Sequence, residues 1–149
     1  MPEIVLVEPK IPQNTGTIAR LCAATNSKLV LVGDLGFSLS DKYLKRAGLD
    51  YWKHVALEHI PDARQYLADI KDTSPYLLSS KASVPYTNVR YEHHQRLIFG
   101  SETTGLPDIY KDAFLHRLIT IPMANPNIRS LNLANSVSIV LYEAIRQLS

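Results

Sequence analysis

Short runs of consecutive apolar residues recur along the chain, and longer segments with a helical period lie between them. Apolar runs of three or four residues are too short for helices and are typical of parallel strands that are covered on both faces. Between residues 84 and 95 the pattern indicates a loop with at most a short edge strand. We predict six strands, over residues 4–7, 29–32, 55–57, 76–78, 97–99 and 118–121.

The segments between the strands place apolar residues every three or four positions, as on one face of an α-helix. Asn14, Ser40 and either Ser130 or Asn132 are placed to cap helix N-termini, and Gly48 to end a helix. Strands that alternate with helices predict one α/β domain over 1–149, with helices on both faces of a mostly parallel sheet. The predicted helices follow Asn14, cover 40–47, 62–70 and 107–114, and close the chain.

The last helix carries two apolar surfaces. Ile139, Tyr142 and Ile145 lie outside its main stripe, so something else must cover them. A second copy of the chain and another element of the same subunit are equally good candidates. The main stripe, which faces a core, consists of Leu133, Val137, Val140, Leu141, Ala144 and Leu148.

The composition is that of a globular domain, because 46% of the 149 residues are apolar and 20% are charged. No apolar run reaches the length of a membrane span, and the start of the chain lacks signal-peptide features, so we expect a cytoplasmic protein. Cys22 is the only cysteine and lies on the apolar side of its helix, which indicates a core residue. The five histidines lack ligand spacing, and we predict no metal site.

Residues 42–54 combine cations with aromatic rings, Lys45, Arg46 and Tyr51 among them. The net charge of +2 permits a nucleic-acid partner without requiring one. Such a mixture suits phosphate contact and base stacking. A solvated helix followed by a partly buried aromatic turn explains the same residues, and the residues alone favour this second interpretation.

Four polar loops follow predicted strands, at residues 8–14, 79–83, 100–107 and 122–130. Ligands of parallel α/β sheets bind outside the carboxyl ends of the strands, so these loops could form one site. The chain has neither the G-x-G-x-x-G of a dinucleotide site nor a P-loop. Gly100 and Gly105 flank the third loop and would let its backbone approach a ligand.

Three segments match, in order, the motifs of a known family. They are PQNTGTIARLC at 12–22, IFGSETTGLP at 98–107, and IPM followed by SLNLANSVS between 121 and 138. They resemble motifs one, two and three of the SpoU branch of the SPOUT methyltransferases. The resemblance covers essentially the whole chain. It points to the minimal, YibK-like subgroup, whose members methylate the ribose 2'-hydroxyl of cytidine or uridine at the wobble position of tRNA.

The resemblance implies an α/β domain whose C-terminal segment is threaded into a trefoil knot. It also implies a homodimer that acts on the tRNA anticodon stem-loop and binds S-adenosyl-L-methionine inside the knot. Leu78, Gly100, Ile121 and Ser130 match positions that line the cofactor pocket. Further cofactor-binding positions would be Ser79, Glu102, Gly105, Met123, Leu131 and Asn135.

The resemblance also implies a polar active-site set, with Tyr142 engaged with the substrate. Arg20 would grip a phosphate beside the target ribose and stabilise charge on the 2'-oxygen, because a guanidinium group keeps its proton in proteins. Glu102 would fix Arg20 across the pocket, and Asn14 would orient Arg20 or the ribose. Lys45 and Arg46 would belong to an RNA surface. The active-site set consists of Asn14, Arg20, Glu102, Ser130 and Asn132.

Other classes of function share these features. A methyltransferase of another RNA, such as ribosomal RNA, would carry the same motifs. A non-catalytic RNA-binding dimer would use the same basic surface without a cofactor. A small-molecule nucleotide-binding enzyme would bind the cofactor without RNA.

Overall fold

A six-stranded sheet in which all neighbouring strands are parallel forms the centre of the computed structural model, which describes residues 1–149. The strand order is β3-β2-β1-β5-β4-β6, so β1 lies inside the sheet between β2 and β5. The predicted α/β class and parallel sheet are confirmed. The strands are β1 (Glu3–Val7), β2 (Lys28–Val32), β3 (Leu57–Ile60), β4 (Tyr76–Leu78), β5 (Arg96–Phe99) and β6 (Leu118–Ile119).

Five α-helices and three short 3₁₀ helices connect and cover the strands. The 3₁₀ helix Leu49–His54 directly follows α2 and is used below. No helix is both long and apolar enough to cross a membrane. The α-helices are α1 (Pro12–Thr25), α2 (Lys42–Gly48), α3 (Ala63–Ile70), α4 (Asp108–Ala113) and α5 (Leu133–Leu148).

Alternate residues of the inner strands enter two separate cores. Ile4 and Leu6 of β1 pack in a core with α1 and α5, whereas Val5 and Val7 pack in a core with α3 and α4. Successive strand side chains point to opposite faces, so helices cover both sides of the sheet. Cys22 is fully buried in the first core, and burial raises the pKa of its thiol to about 12.

The first helix begins earlier than predicted, and Asn14 is not its cap. Helix α1 starts at Pro12, and Ile11 before it makes no side-chain cap bond. Proline suits the first helical position because it lacks the N–H that would have no partner there. Asn14 therefore lies inside the first turn, where its side chain bonds to Glu102 instead.

Helix α2 also differs from the prediction at both ends. Asp41, not Ser40, is the N-cap, and its carboxylate accepts bonds from the N–H groups of Tyr43 and Leu44. Gly48 is still helical, and the residue with a left-handed φ, of 51°, is Leu49. The 3₁₀ helix that follows takes the place of a glycine stop.

The two edge strands deviate most from the prediction. Strand β3 occupies Leu57–Ile60 instead of 55–57, because Val55 closes the preceding 3₁₀ helix. Strand β6 covers only Leu118–Ile119, and an isolated bridge joins Thr120 to Pro85 in place of a longer strand. His59, expected on a loop or surface, lies on β3 and bonds to the Gly33 carbonyl.

Helix α5 has the expected division between a buried stripe and an outer surface. Asn132, one of the two candidate caps, is the N-cap. Tyr142 is 52% exposed, and Ile139 and Ile145 are half-buried. Within one chain this second apolar surface stays partly open.

Candidate functional site

The four polar loops meet at the carboxyl ends of the strands and enclose a cavity of about 380 Å³. This volume lies within the range of small-molecule sites, roughly 300–1,000 Å³. The expected convergence of the loops is therefore present. Eleven of the positions singled out from the sequence line the cavity: Asn14, Leu78, Ser79, Gly100, Glu102, Gly105, Ile121, Met123, Ser130, Leu131 and Asn132.

The loop after β5 folds back on itself at its two glycines. The Ser101 and Gly105 main chains exchange hydrogen bonds of 3.1 and 3.2 Å. A Cβ atom on Gly100 would collide with the backbone of Gly105 and Leu106. Gly105 has open space around it but a φ of +68°, which favours glycine. Gly100 therefore allows the loop to close on itself, rather than serving only a ligand's approach.

Glu102 projects from this closed loop and binds the loop after β1. Its Oε1 accepts a bond from the Lys10 N–H at 2.9 Å, and its Oε2 accepts one from the Ile11 N–H at 2.8 Å. The Asn14 side-chain amide also donates to Oε2, at 3.2 Å. Both carboxylate oxygens are thus held by the loop after β1, and Oε2 also by Asn14 of the first motif.

Two asparagines extend this connection to the third motif. Asn14 Oδ1 accepts a bond from Asn132 Nδ2 at 3.1 Å. Asn132 Oδ1 in turn caps α5 by accepting the Asn135 main-chain N–H at 3.1 Å. Residues that are 118 positions apart are therefore in direct contact, and one chain of hydrogen bonds joins all three motifs at the cavity.

Arg20 is not where the resemblance led us to expect it. The expected contact with Glu102 is not formed, because Glu102 is already bound to Lys10, Ile11 and Asn14, and Arg20 does not line the cavity. Arg20 lies on the exposed side of α1, as its position two residues from Ile18 predicts. Its guanidinium carbon lies 5.2 Å from the ring centroid of Tyr51.

The remaining predicted residues also lie outside the cavity. Asn135 is in the first turn of α5, and only its main-chain N–H joins the chain of hydrogen bonds, as the donor to Asn132 Oδ1. Lys45 and Arg46 are on α2, and both are exposed. Tyr142 is on the outer surface of α5.

Helices α1 and α2, which carry Arg20 and the cations Lys45 and Arg46, pack closely against each other at Gly16. A Cβ atom on Gly16 would lie 2.5 Å from both Ala47 Cβ and the Leu44 carbonyl oxygen. Leu44 is buried against this junction. The glycine of motif one therefore lets α2, with its cations, lie directly against the helix that carries Arg20.

Sequence reasoning missed several residues of the cavity. Lys81 and Lys111 bring two cations to it, and Lys111 also pairs with Asp108 at 3.3 Å. Lys81 follows Ser79 in a loop already marked as polar, so its position gave a usable signal. No sequence signal marked Lys111 as a cavity residue, because it lies within helix α4. The other missed lining residues are Ile11, Ser80, Phe99, Ser101, Thr104, Leu106, Thr120, Leu133 and Ser136.

Comparison with known proteins shows the family of the chain. The model of the SpoU rRNA Methylase family matches residues 1–142. The tRNA (cytidine(34)-2'-O)-methyltransferase of Escherichia coli (strain K12) is 44% identical over 149 residues, which cover 99% of this chain and 94% of that protein.

Two solved structures resemble the fold. One, from work on the 2-OH methylation of C/U34 on tRNA, has a TM-score of 0.92 and 40% identity, covering 99% of this chain and 96% of that one. The other is an AdoMet-bound rRNA methyltransferase from Sinorhizobium meliloti, with a TM-score of 0.87 and 26% identity, covering 99% of this chain and 57% of that one. With three ordered motifs joined at one cavity and a family match over most of its length, the chain belongs to the SpoU rRNA Methylase family.

Proposed function

We propose that the protein transfers a methyl group from S-adenosylmethionine to the ribose 2'-hydroxyl of the tRNA wobble nucleotide, cytidine or uridine 34. The observation that carries this proposal is the cavity where the three motifs meet. Relatives of nearly the same length are named for this reaction. A structure with 40% identity comes from work on the same methylation.

The cavity residues fit S-adenosylmethionine. Leu78, Ile121 and Leu131 offer apolar contacts, and the closed loop around Gly100 exposes main-chain donors and acceptors. When bound, this cofactor supplies the methyl group on a positively charged sulfonium. Glu102 brings a negative charge to the same cavity.

The chain's own residues then have separate tasks. Glu102, Asn14 and Asn132 hold the three loops together and fix the shape of the cavity. Arg20 contacts the phosphate beside the target ribose and stabilises negative charge on the 2'-oxygen. Ser130 and Asn132 shape the loop against the cofactor. Holding both reactants in place supplies much of the acceleration.

The RNA surface consists of Arg20 and the exposed cations of α2, Lys45 and Arg46 among them. These residues lie on adjacent, closely packed helices, which would let them contact consecutive phosphates. The anticodon stem-loop is the part of tRNA that they would bind. The reaction would take place in the cytoplasm, where this substrate occurs.

We also propose a homodimer and a C-terminal trefoil knot. The partly open apolar surface of α5, with Tyr142 at its centre, supports a contact with a second copy. In support of the knot, residues 118–120 lie between β4 on one side and the segment at Val84–Tyr86 on the other. Thr120 N–H donates to the Val84 carbonyl, and Tyr86 N–H donates to the Thr120 carbonyl.

The experiment that tests the function is incubation of purified protein with S-adenosylmethionine and unmodified total tRNA. Nuclease mapping and mass spectrometry then locate any 2'-O-methyl ribose. Methylation at nucleotide 34 is the expected result. Methylation at another nucleotide, or of ribosomal RNA alone, would contradict the proposed substrate. Failure to bind the cofactor would overturn the enzyme assignment.

A further inference from the structure

Arg20 has an unusual environment for an arginine with a proposed role. Its side chain takes part in none of the four ion pairs of the chain. Its one side-chain interaction is with the Tyr51 ring, whose centroid lies 5.2 Å from the guanidinium carbon. An exposed arginine side chain normally has many rotamers of similar energy, so this ring is what restricts the guanidinium.

Arg117 provides an internal comparison, because it also lies over a tyrosine ring. Its guanidinium carbon is 3.8 Å from the Tyr76 centroid. However, its Nε donates to the Pro75 carbonyl at 2.9 Å and its Nη2 to the Ser74 carbonyl at 2.8 Å. Arg117 therefore uses its donors to hold the fold, whereas those of Arg20 stay available for a ligand.

The 3₁₀ helix that carries Tyr51 is anchored by the next residue. Trp52 is half-buried against Gly48, and its indole Nε1 donates to the Lys45 carbonyl at 3.3 Å. Tyr51 itself remains 40% exposed. The aromatic cluster of the sequence thus divides into an anchor, Trp52, and a ring presented to Arg20, Tyr51.

We propose that Tyr51 is a positioning residue for Arg20. Its ring holds the guanidinium by a cation–π interaction, which leaves the N–H groups of Arg20 for the phosphate and the 2'-oxygen of the target nucleotide. A carboxylate partner would occupy two of these donors and offset the charge, and an aromatic face does neither. This inference rests on the proposed function, in which Arg20 contacts the RNA.

The first test compares Tyr51→Leu with Tyr51→Phe in steady-state methylation of tRNA. Tyr51→Leu should lower kcat/KM about two- to fivefold, the range expected for an exposed cation–π contact. Tyr51→Phe, which keeps the ring, should restore the wild-type value. Melting temperature and S-adenosylmethionine affinity should stay unchanged in both variants. An equal loss in Tyr51→Phe would overturn the proposal, because the hydroxyl would then be what matters.

A double-mutant cycle on tRNA affinity, measured with S-adenosylhomocysteine present, tests whether Tyr51 acts through Arg20. Tyr51→Leu should weaken binding in the wild-type background and have no further effect in Arg20→Ala. The same loss in both backgrounds would overturn the proposal, because Tyr51 would then contact RNA itself. Tyr43→Leu is the matched comparison, since that exposed ring lies 5.1 Å from Lys42 Nζ, and it should show no coupling to Arg20.

The two levels of the proposal fail separately. Wild-type protein that leaves nucleotide 34 unmethylated would contradict the proposed function. The binding cycle would still report whether Tyr51 and Arg20 are coupled. A methylating wild type with no coupling in the cycle would contradict only the role of Tyr51.

Discussion

The Glu102 carboxylate accepts a hydrogen bond from the Ile11 main-chain N–H at 2.8 Å, across 91 positions of sequence. Ile11 directly precedes α1, and Glu102 lies in the loop after β5. An ionised carboxylate only accepts hydrogen bonds, so its three partners must all be donors, as they are. Glu102 therefore determines how the first and second motifs fit together.

Replacing Glu102 with glutamine should loosen this junction. One amide N–H group would then face main-chain N–H donors, and the bonds to a charged acceptor would be lost. We expect the free energy of unfolding to fall by about 1–2 kcal/mol, as measured by urea denaturation. Affinity for S-adenosylmethionine should fall as well.

Glu92→Gln is the control for this change, because Glu92 is exposed and its carboxylate takes part in no hydrogen bond or ion pair. It should leave both quantities unchanged. Wild-type stability and cofactor affinity in Glu102→Gln would contradict a joining role for Glu102.

The two glycines of the same loop should respond differently to alanine. Gly100→Ala introduces a collision with the backbone of Gly105 and Leu106, so we expect a loss of about 3 kcal/mol in unfolding free energy. Gly105→Ala meets no neighbour but keeps a left-handed φ, which should destabilise by about 1–2 kcal/mol. Thermal and urea unfolding of both variants tests whether Gly100→Ala loses more unfolding free energy than Gly105→Ala. Equal losses would contradict this expectation.

Arg20→Ala should separate catalysis from cofactor binding. Arg20 does not line the cavity, so S-adenosylmethionine affinity, measured by calorimetry, should stay close to wild type. Methylation of tRNA should be lost, because no other group is assigned to stabilise charge on the 2'-oxygen. A parallel loss of cofactor binding and methylation would contradict this division.

Neutralising Lys45 and Arg46 together should weaken tRNA binding and its dependence on salt. Each phosphate contact that is lost should reduce the slope of log affinity against log salt by about one. The matched control is Arg64→Gln with Lys71→Gln, which removes the same charge near α3, on the other side of the sheet. Equal slopes for the two double variants would show that only net charge matters.

Glu143 should make stability depend on acid pH. Bonds from Arg146 and Gln147 lower the pKa of Glu143 from 4.5 to about 2. Because the folded pKa lies below the unfolded one, this stabilisation is present above about pH 4.5 and is lost as the pH falls towards 2. Urea denaturation at several pH values should show Glu143→Gln with a flatter decline than wild type over this range.

The control for this series is Asp72→Asn, at an exposed carboxylate. It should decline in parallel with wild type. A second readout is the link between α5 and the segment before β5, where Gln147 bonds to the Val89 carbonyl and to the Tyr91 N–H. The protection of the Tyr91 amide from exchange, taken relative to its intrinsic exchange rate at each pH, should fall at low pH if Glu143 orders Gln147.

The inner part of the fold was predictable because its signal is local. Strands such as β1 and β2 are covered on both faces, so all their residues after the first are apolar and the run is clear in the sequence. Edge strand β3 is exposed along half its length and has no such run. Its position depends on where the preceding 3₁₀ helix ends, which local pattern does not give.

The cavity was predictable in part of its lining residues but not in the hydrogen bonds that connect them. The loops were marked by polar residues and glycines, and the resemblance supplied the positions. Asn14 is a reasonable helix cap by local rules, but its side chain bonds instead to two residues distant in sequence, Glu102 and Asn132. The neighbour of Arg20 likewise lies on a separate element, and the packing of α1 against α2 brings it there.

The hydrogen bonds from α5 to Glu102 all point the same way. The Asn135 N–H donates to Asn132, Asn132 to Asn14, and Asn14 to Glu102. The Glu102 carboxylate can only accept hydrogen bonds, and the Asn135 main-chain N–H can only donate one. The reverse direction is therefore excluded, and the side-chain amides of Asn14 and Asn132 each have one possible orientation. The aligned dipoles extend the positive N-terminal end of α5 towards the carboxylate and strengthen one another. Helix α5 and the Glu102 carboxylate are thus electrostatically coupled. A change in the charge of Glu102 would weaken the hydrogen bonds that reach the first turn of α5.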